Sequence, residues 1–97
     1  AGQTVGELYS KRDEFAGKDI LVRGQVVKVL IGIMGTNWLH LQDGSGEAGG
    51  NDLTVTTSAV VAKGDVVLVS GKLALNRDFG MGYFYELIVE EAKVVVE

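Results

Sequence analysis

The sequence predicts an all-β domain in which one N-terminal helix precedes a five-stranded Greek-key barrel. The chain has 97 residues, 46% of them apolar and 23% charged, which is enough for one compact core. From about residue 19 onward the apolar residues recur with a period of two, which is typical of strands. Two of the longer strands carry a glycine near the middle, where a strand bends around a small barrel.

The helix is predicted from a start signal and a helical repeat. Thr4 and Glu7 have the spacing of a capping box, in which both side chains bond to free amides of the first turn. Apolar residues then recur at helical spacing as far as Phe15. We expect a helix over residues 5–16 that packs on the barrel through Leu8 and Phe15.

The barrel is predicted to occupy residues 19–97, after a helical segment of residues 1–18. Five stretches alternate apolar and polar residues and are expected to be strands: 19–29, 37–43, 52–57, 66–75 and 83–90. Gly24 and Gly71 lie in the first and fourth of these stretches. Residues 93–96 either extend the last strand or pair at an edge.

Composition excludes several classes of chemistry. The chain has no cysteine, so thiolate catalysis, disulfides and thiolate metal sites are excluded. Nine basic and thirteen acidic residues give a net charge of −4, so any binding of nucleic acid must come from a local basic cluster. No apolar run approaches the roughly 20 residues of a membrane span. The chain begins without methionine, and we expect that an export signal preceded it.

Three segments in order resemble a known barrel family. They are VRGQVVK at residues 22–28, WLHLQDGSG at residues 38–46 and GDVVLVSG at residues 64–71. Over residues 19–90 the chain is similar to the anticodon-binding OB-fold barrels of class II aminoacyl-tRNA synthetases. This resemblance implies a five-stranded OB-fold barrel whose second and third strands form the binding face.

The whole chain resembles small exported bacterial OB-fold proteins still more closely. Typical phrases are MGTNWLHLQD at residues 34–43 and DFGMGY at residues 78–83. Such proteins are described as nucleic-acid-binding proteins or lipoproteins, which implies a single-stranded nucleic acid as ligand and a periplasmic or lipid-anchored location after signal removal. A second exported OB-fold family, acidic like this chain, is linked to small cationic ligands. The alternative is therefore a protein-interaction or cation-binding module with no role for nucleic acid.

Trp38 and His40 are the central candidates for the binding face. Alternation directs Leu39 and Leu41 into the core, so Trp38 and His40 should point outward on the second strand. An outward tryptophan beside a histidine suits single-stranded nucleic acid, because stacking on an aromatic ring stabilises every base. Alternatively, Trp38 packs beneath the N-terminal helix or beneath the loop of residues 30–35.

Further candidates lie on the first, fourth and fifth strands. Tyr83 and Tyr85 share one face by alternation and could stack on a base or a sugar, or they close the end of the barrel. The candidate phosphate contacts are Arg23, Lys28, Lys72 and Arg77, which otherwise are ordinary solvated charges.

The loop of residues 30–35 is unusually apolar for a connection. Its residues Ile31, Ile33 and Met34 suggest contact with a protein partner or an apolar ligand. Alternatively, the segment folds back over Trp38 or belongs to a long, curled first hairpin.

The sequence predicts no enzymatic activity, cofactor or metal site. His40 has no serine, cysteine or carboxylate partner at the spacing of a known motif. The glycine-rich segment of residues 44–50 lacks the following lysine and helix of a phosphate-binding loop. We therefore expect a binding protein.

Overall fold

The computed structural model describes residues 2–97 as two short helices and five strands. The elements are α1 (Val5–Ser10), α2 (Arg12–Phe15), β1 (Asp19–Ile33), β2 (Thr36–Gln42), β3 (Leu53–Thr57), β4 (Val66–Asp78) and β5 (Phe84–Val96). The strands form one sheet that closes into a barrel in the order β1-β2-β3-β5-β4. This confirms the predicted mostly β architecture with five strands. Three strands are longer than predicted, and β5 includes the proposed extension at residues 93–96.

The barrel is closed by seams of unequal length. β1 pairs antiparallel with β2 and with β4, and β4 pairs antiparallel with β5 along most of their lengths. β3 and β5 run parallel and pair at only two positions, Thr54 with Ile88 and Val55 with Val89. The β3–β5 seam is therefore the weakest joint in the backbone pairing of the sheet.

Alternating side chains fill the barrel, and glycine makes room for two of them. Leu39, Leu41 and Val89 are fully buried in one core cluster. A Cβ atom on Gly24 would lie 2.9 Å from Cγ of Leu41, and one on Gly71 would lie 2.8 Å from Cγ1 of Val89. Both mid-strand glycines therefore allow a core side chain of a neighbouring strand to approach the backbone.

The predicted single helix is divided in two. Its start is as expected, because Thr4 Oγ1 accepts from the amide of Glu7 and Glu7 Oε1 accepts from the amide of Thr4, both at 3.1 Å. Lys11 leaves the helical conformation with φ −118° and ψ 34°, so α1 ends there and α2 begins at Arg12. The Arg12 side chain donates to the carbonyl oxygen of Tyr9 at 3.1 Å and stabilises this break.

Asp43, at the end of β2, ties the first turn of α1 to the barrel. Its carboxylate accepts from the amide of Val5 at 2.9 Å and from the amide and hydroxyl of Ser45. Ser45 in turn accepts from the amide of Gly6 at 2.8 Å. Burial alone raises the pKa of Asp43, but the hydrogen bonds from Ser45 and Val5 outweigh burial and hold this pKa below its ordinary value.

We expect acid to weaken this connection. Because the pKa of Asp43 is lower in the folded state, its contribution to stability is complete above the unfolded-state pKa of about 3.9. The contribution is lost as the pH falls from there through the folded-state pKa. Replacing Asp43 with alanine should lower the free energy of unfolding at pH 7 by about 1–2 kcal/mol and flatten its dependence on pH below pH 4.

Urea denaturation at a series of pH values measures both effects. Asp13→Ala is the matched control, because Asp13 is an exposed carboxylate in α2. If Asp43→Ala and Asp13→Ala had the same pH dependence as the unsubstituted protein, the role assigned to Asp43 would be wrong.

Candidate functional site

Trp38 lies on the outer surface of β2. Its neighbour Leu39 belongs to the core cluster and Trp38 does not, as the alternation predicts. Nevertheless only 4% of Trp38 is exposed to solvent. The expectation of an open indole surface is therefore corrected: the ring points outward but is covered.

Two aromatic residues and one carbonyl group cover the indole. The ring of Phe79 lies edge-on at 5.2 Å between centroids, and that of Tyr85 lies tilted at 5.5 Å. The indole N–H of Trp38 donates to the carbonyl oxygen of Ile33 at 2.7 Å. We call Trp38, Phe79 and Tyr85 the aromatic cluster. It joins the ends of the β1–β2 and β4–β5 hairpins over β2. The segment of residues 30–35 therefore contributes to the cover through Ile33, as one alternative predicted, and the last hairpin supplies the two rings.

The two candidate tyrosines have different surroundings. Tyr85 packs on Trp38, and burial raises the pKa of its hydroxyl, as does the nearby Tyr83 to a smaller extent. Tyr83 is exposed in the turn before β5, where its amide donates to the carbonyl oxygen of Gly80 at 2.9 Å. The sequence singled out Tyr83 and Tyr85 but assigned no role to Phe79, although DFGMGY already stood out as a phrase.

The four candidate phosphate contacts do not form one cluster. Arg23 binds Glu97 at 2.6 Å, Arg77 binds Glu90 at 2.9 Å, and Lys72 lies 3.7 Å from Asp19. Lys28 is exposed on β1 opposite His40. Three of the four cations are therefore paired with carboxylates.

The apolar segment of residues 30–35 belongs to a long first hairpin, one of the predicted alternatives. β1 continues to Ile33, which pairs with Thr36 across a turn of two residues, Met34 and Gly35. The candidate partner contacts Ile31, Ile33 and Met34 are all exposed. They form an apolar hairpin end that reaches past the body of the barrel.

A cleft of about 540 Å³ opens beside the aromatic cluster, and we call it the Trp38 cleft. It lies between the β1–β2 turn and the β3–β5 seam. The side chains that matter for its chemistry are Met34, Trp38, Thr56, Phe79, Glu90 and Glu91. The sequence indicated Trp38 and Met34 but neither glutamate, because their position depends on how β5 passes β3.

The polar wall of the cleft is formed where β3 and β5 separate. The hydroxyl of Thr56 accepts from the amide of Glu91 at 3.1 Å, and the hydroxyl of Thr57 donates to the carbonyl oxygen of Ala92 at 2.7 Å. These side chains replace the missing strand pairing. Glu91 has φ 51°, in the left-handed region that non-glycine residues rarely occupy. At this irregular stretch two consecutive glutamates, Glu90 and Glu91, line the cleft.

The cleft has a negative charge beside apolar walls. Among residues 2–97, no lysine or arginine lines it. Arg77 binds Glu90 from outside and lies over the ring of Phe79, with 5.3 Å between its guanidinium carbon and the ring centroid. Within residues 2–97, Glu91 makes no ion pair. A carboxylate next to aromatic and thioether groups can attract an organic cation through charge, cation–π contact and dispersion.

His40 has a carboxylate partner, although the sequence shows none at the spacing of a known motif. Its Nδ1 lies 2.7 Å from Oδ1 of Asp52, twelve residues later in the chain. The carbonyl oxygen of Asp52 also accepts from the hydroxyl of Tyr9 at 2.6 Å. The pair connects α1 to the start of β3 and does not line the Trp38 cleft. Among residues 2–97 no group of three or more histidine or acidic side chains is placed to hold a metal ion.

Comparison with known proteins assigns no family. Neither the models of known protein families nor the curated protein sequences match this chain. The similarity to OB-fold families that the sequence suggested has no support from these comparisons. None of the helices within residues 2–97 has the length and apolar character needed to cross a membrane.

Proposed function

We propose that this chain is a non-enzymatic OB-fold module that binds a small organic cation in the Trp38 cleft. An OB-fold is a five-stranded Greek-key barrel that binds ligands on its second and third strands, between its first and last hairpin loops. The strand count, the ring closure and the place of the cleft support this assignment. Met34 of the first hairpin and Phe79 of the last hairpin both border the cleft.

The observation that carries the proposal is that Glu91 lines the same cleft as Trp38 and Phe79. A volume of about 540 Å³ lies within the range of small-molecule sites. A cation that contacts the ring of Phe79 gains about 0.5–2 kcal/mol, depending on how much water is excluded. Glu91 adds a charge that no neighbouring cation within residues 2–97 neutralises. Aliphatic polyamines carry positive charges on apolar methylene chains, so one molecule can contact both Glu91 and the aromatic walls.

Single-stranded nucleic acid, the first expectation from the sequence, has weaker support. Stacking of bases needs an open ring, and both Phe79 and Tyr85 pack on Trp38. Phosphate binding needs free cations, and three of the four candidates are paired with carboxylates. The two glutamates of the cleft would also repel a phosphate backbone.

Titration with spermidine, followed by the fluorescence of the single tryptophan, tests the proposal. We expect saturable binding that weakens with salt. Glu91→Gln should reduce the affinity about tenfold, which corresponds to about 1.4 kcal/mol. Glu47→Gln is the matched control, because it removes the same charge from an exposed position outside the Trp38 cleft, and its affinity should stay within about twofold.

Three results would contradict the proposal. One is a fluorescence signal that does not change at millimolar spermidine. Another is an equal loss of affinity in Glu91→Gln and Glu47→Gln, which would indicate attraction to net charge alone. The third is saturable binding of a single-stranded oligonucleotide in the absence of spermidine binding, which would restore nucleic acid as the ligand.

A further inference from the structure

Met34 and Met81 occupy matching positions in two hairpin turns. Met34 and Gly35 have φ 53° and 78°, and Met81 and Gly82 have φ 55° and 85°. Positive φ at both central residues is the pattern of a type I′ turn, whose first central position strongly favours asparagine, aspartate or glycine. In both turns this position is occupied by methionine, although a side chain of this kind disfavours the left-handed region.

Core packing does not explain the choice of methionine. Met34 is 50% exposed and Met81 is 95% exposed, and they are the only two methionines in the chain. At both places the sequence departs from the residue that the turn favours and buries no additional apolar surface in the core. Unfavourable backbone conformations of this kind concentrate at binding sites, where a side chain is required for contact with another molecule.

The two turns lie on the same side of the barrel. The carbonyl oxygen of Ile33, next to Met34, accepts from the indole N–H of Trp38, and Phe79, two residues before Met81, packs on the same indole. Six exposed apolar residues of the two hairpins form what we call the tip surface: Ile31, Ile33, Met34, Met81, Tyr83 and Phe84. Together they place exposed apolar side chains on both hairpin ends, and Met34 of the first hairpin and Phe79 of the last line the Trp38 cleft.

Charge around the tip surface is negative. Residues 29–36 and 79–85 contain no charged side chain. The charged residues that flank these segments in the chain are Lys28, Asp78 and Glu86, of which Glu86 binds Arg12. Glu90 and Glu91 line the cleft, with Arg77 bound to Glu90, so acidic groups outnumber basic ones around the tip surface. An anionic lipid surface would be repelled, and so would a second copy of this chain with its net charge of −4. A basic partner is attracted.

We propose that the tip surface and the Trp38 cleft together dock a basic amphipathic segment of another protein. The apolar face of the segment lies across Met34 and Met81, and a lysine or arginine enters the cleft toward Glu91. Methionine suits this task, because its flexible thioether adapts to apolar side chains of different shapes. The inference rests on the proposed function in one respect, because Glu91 binds the small organic cation there and the lysine or arginine of the segment here.

The test uses Met34→Asn and Met81→Asn, singly and together. Asparagine is the residue that the turn favours, so each variant should be more stable than the unsubstituted protein, with a Tm higher by about 4 °C. The probe is a fluorescein-labelled peptide of 14 residues with leucine and lysine arranged on opposite faces of a helix. We expect its affinity, measured by anisotropy, to fall about fivefold for Met81→Asn and more than tenfold for the double variant.

Two controls distinguish binding at the tip surface from non-specific binding of the peptide. Val96→Asn removes another exposed apolar side chain at the opposite end of β5 and should leave the peptide affinity unchanged. The same peptide with glutamate in place of lysine should not bind. Equal binding of the two peptides, unchanged affinity in the double variant, or an equal loss in Val96→Asn would overturn the docking proposal.

The two proposals fail in distinguishable ways. Met81 does not line the Trp38 cleft, so Met81→Asn should bind spermidine as the unsubstituted protein does. Spermidine binding without binding of the lysine peptide would reject the docking surface alone. Peptide binding without spermidine binding would reject the small-cation function and leave the docking surface in place.

Discussion

Replacing Trp38 with alanine is expected to lower the free energy of unfolding by about 3–5 kcal/mol, a loss normally associated with core residues. The reason is that the indole packs on Phe79 and Tyr85 of the β4–β5 hairpin and donates a hydrogen bond to the carbonyl oxygen of Ile33 in the β1–β2 hairpin. In a domain of this size the loss corresponds to a fall in Tm of more than about 12 °C. Urea denaturation followed by circular dichroism measures it without needing the tryptophan signal.

The size of this effect distinguishes a structural tryptophan from a free binding platform. Tyr83→Ala is the control, because Tyr83 is exposed in the adjacent turn and its loss should change stability by less than about 0.5 kcal/mol. Trp38→Phe should be intermediate, since it keeps an aromatic ring but leaves the carbonyl oxygen of Ile33 without its donor. A loss below about 1 kcal/mol for Trp38→Ala would instead restore the open stacking surface expected from the sequence.

Local pattern was sufficient to predict the strands and the direction of most side chains. Leu39 and Leu41 alternate with His40 and Gln42, and a strand with one buried face shows this alternation in its sequence. The capping box of Thr4 and Glu7 is equally local, and both of its hydrogen bonds are present. Gly24 and Gly71 were identified for a related reason, because mid-strand glycine indicates a close approach of some kind.

Contacts between distant segments could not be predicted in this way. Alternation indicates that Trp38 faces outward, but the cover comes from Phe79 and Tyr85, more than 40 residues later. Phe79 lies in a glycine-rich turn without periodicity, and Tyr85 lies in β5. The pairs of Arg23 with Glu97 and of His40 with Asp52 depend on the register of the closed sheet. No spacing rule in the sequence carries that information.

The covered tryptophan changes the function that the fold can support. With the indole exposed, the β2–β3 face would offer a flat ring to nucleotide bases. With Phe79 packed on that indole, the same face offers a cleft whose charged lining residues, among residues 2–97, are Glu90 and Glu91. The packing of Phe79 on Trp38 is therefore the reason that we propose an organic cation as ligand in place of a nucleic acid.

The N-terminal segment is the second place where a large effect is expected. Leu8 of α1 is fully buried and belongs to the same core cluster as the barrel strands, as does Val5. Leu8→Ala should leave a cavity in that core and lower the free energy of unfolding by about 2–5 kcal/mol. Glu14→Ala, at an exposed position of α2, should change it by less than about 0.5 kcal/mol.

Fluorescence of Trp38 during urea denaturation is the informative readout for Leu8→Ala. Trp38 lies outside the core cluster that contains Leu8, so the indole reports on the barrel surface and not on α1 itself. If α1 and the barrel unfold as one unit, the midpoint seen by Trp38 moves to lower urea together with the loss of circular dichroism. A midpoint that stays in place while part of the helical signal is lost would mean that residues 1–18 unfold independently of the barrel.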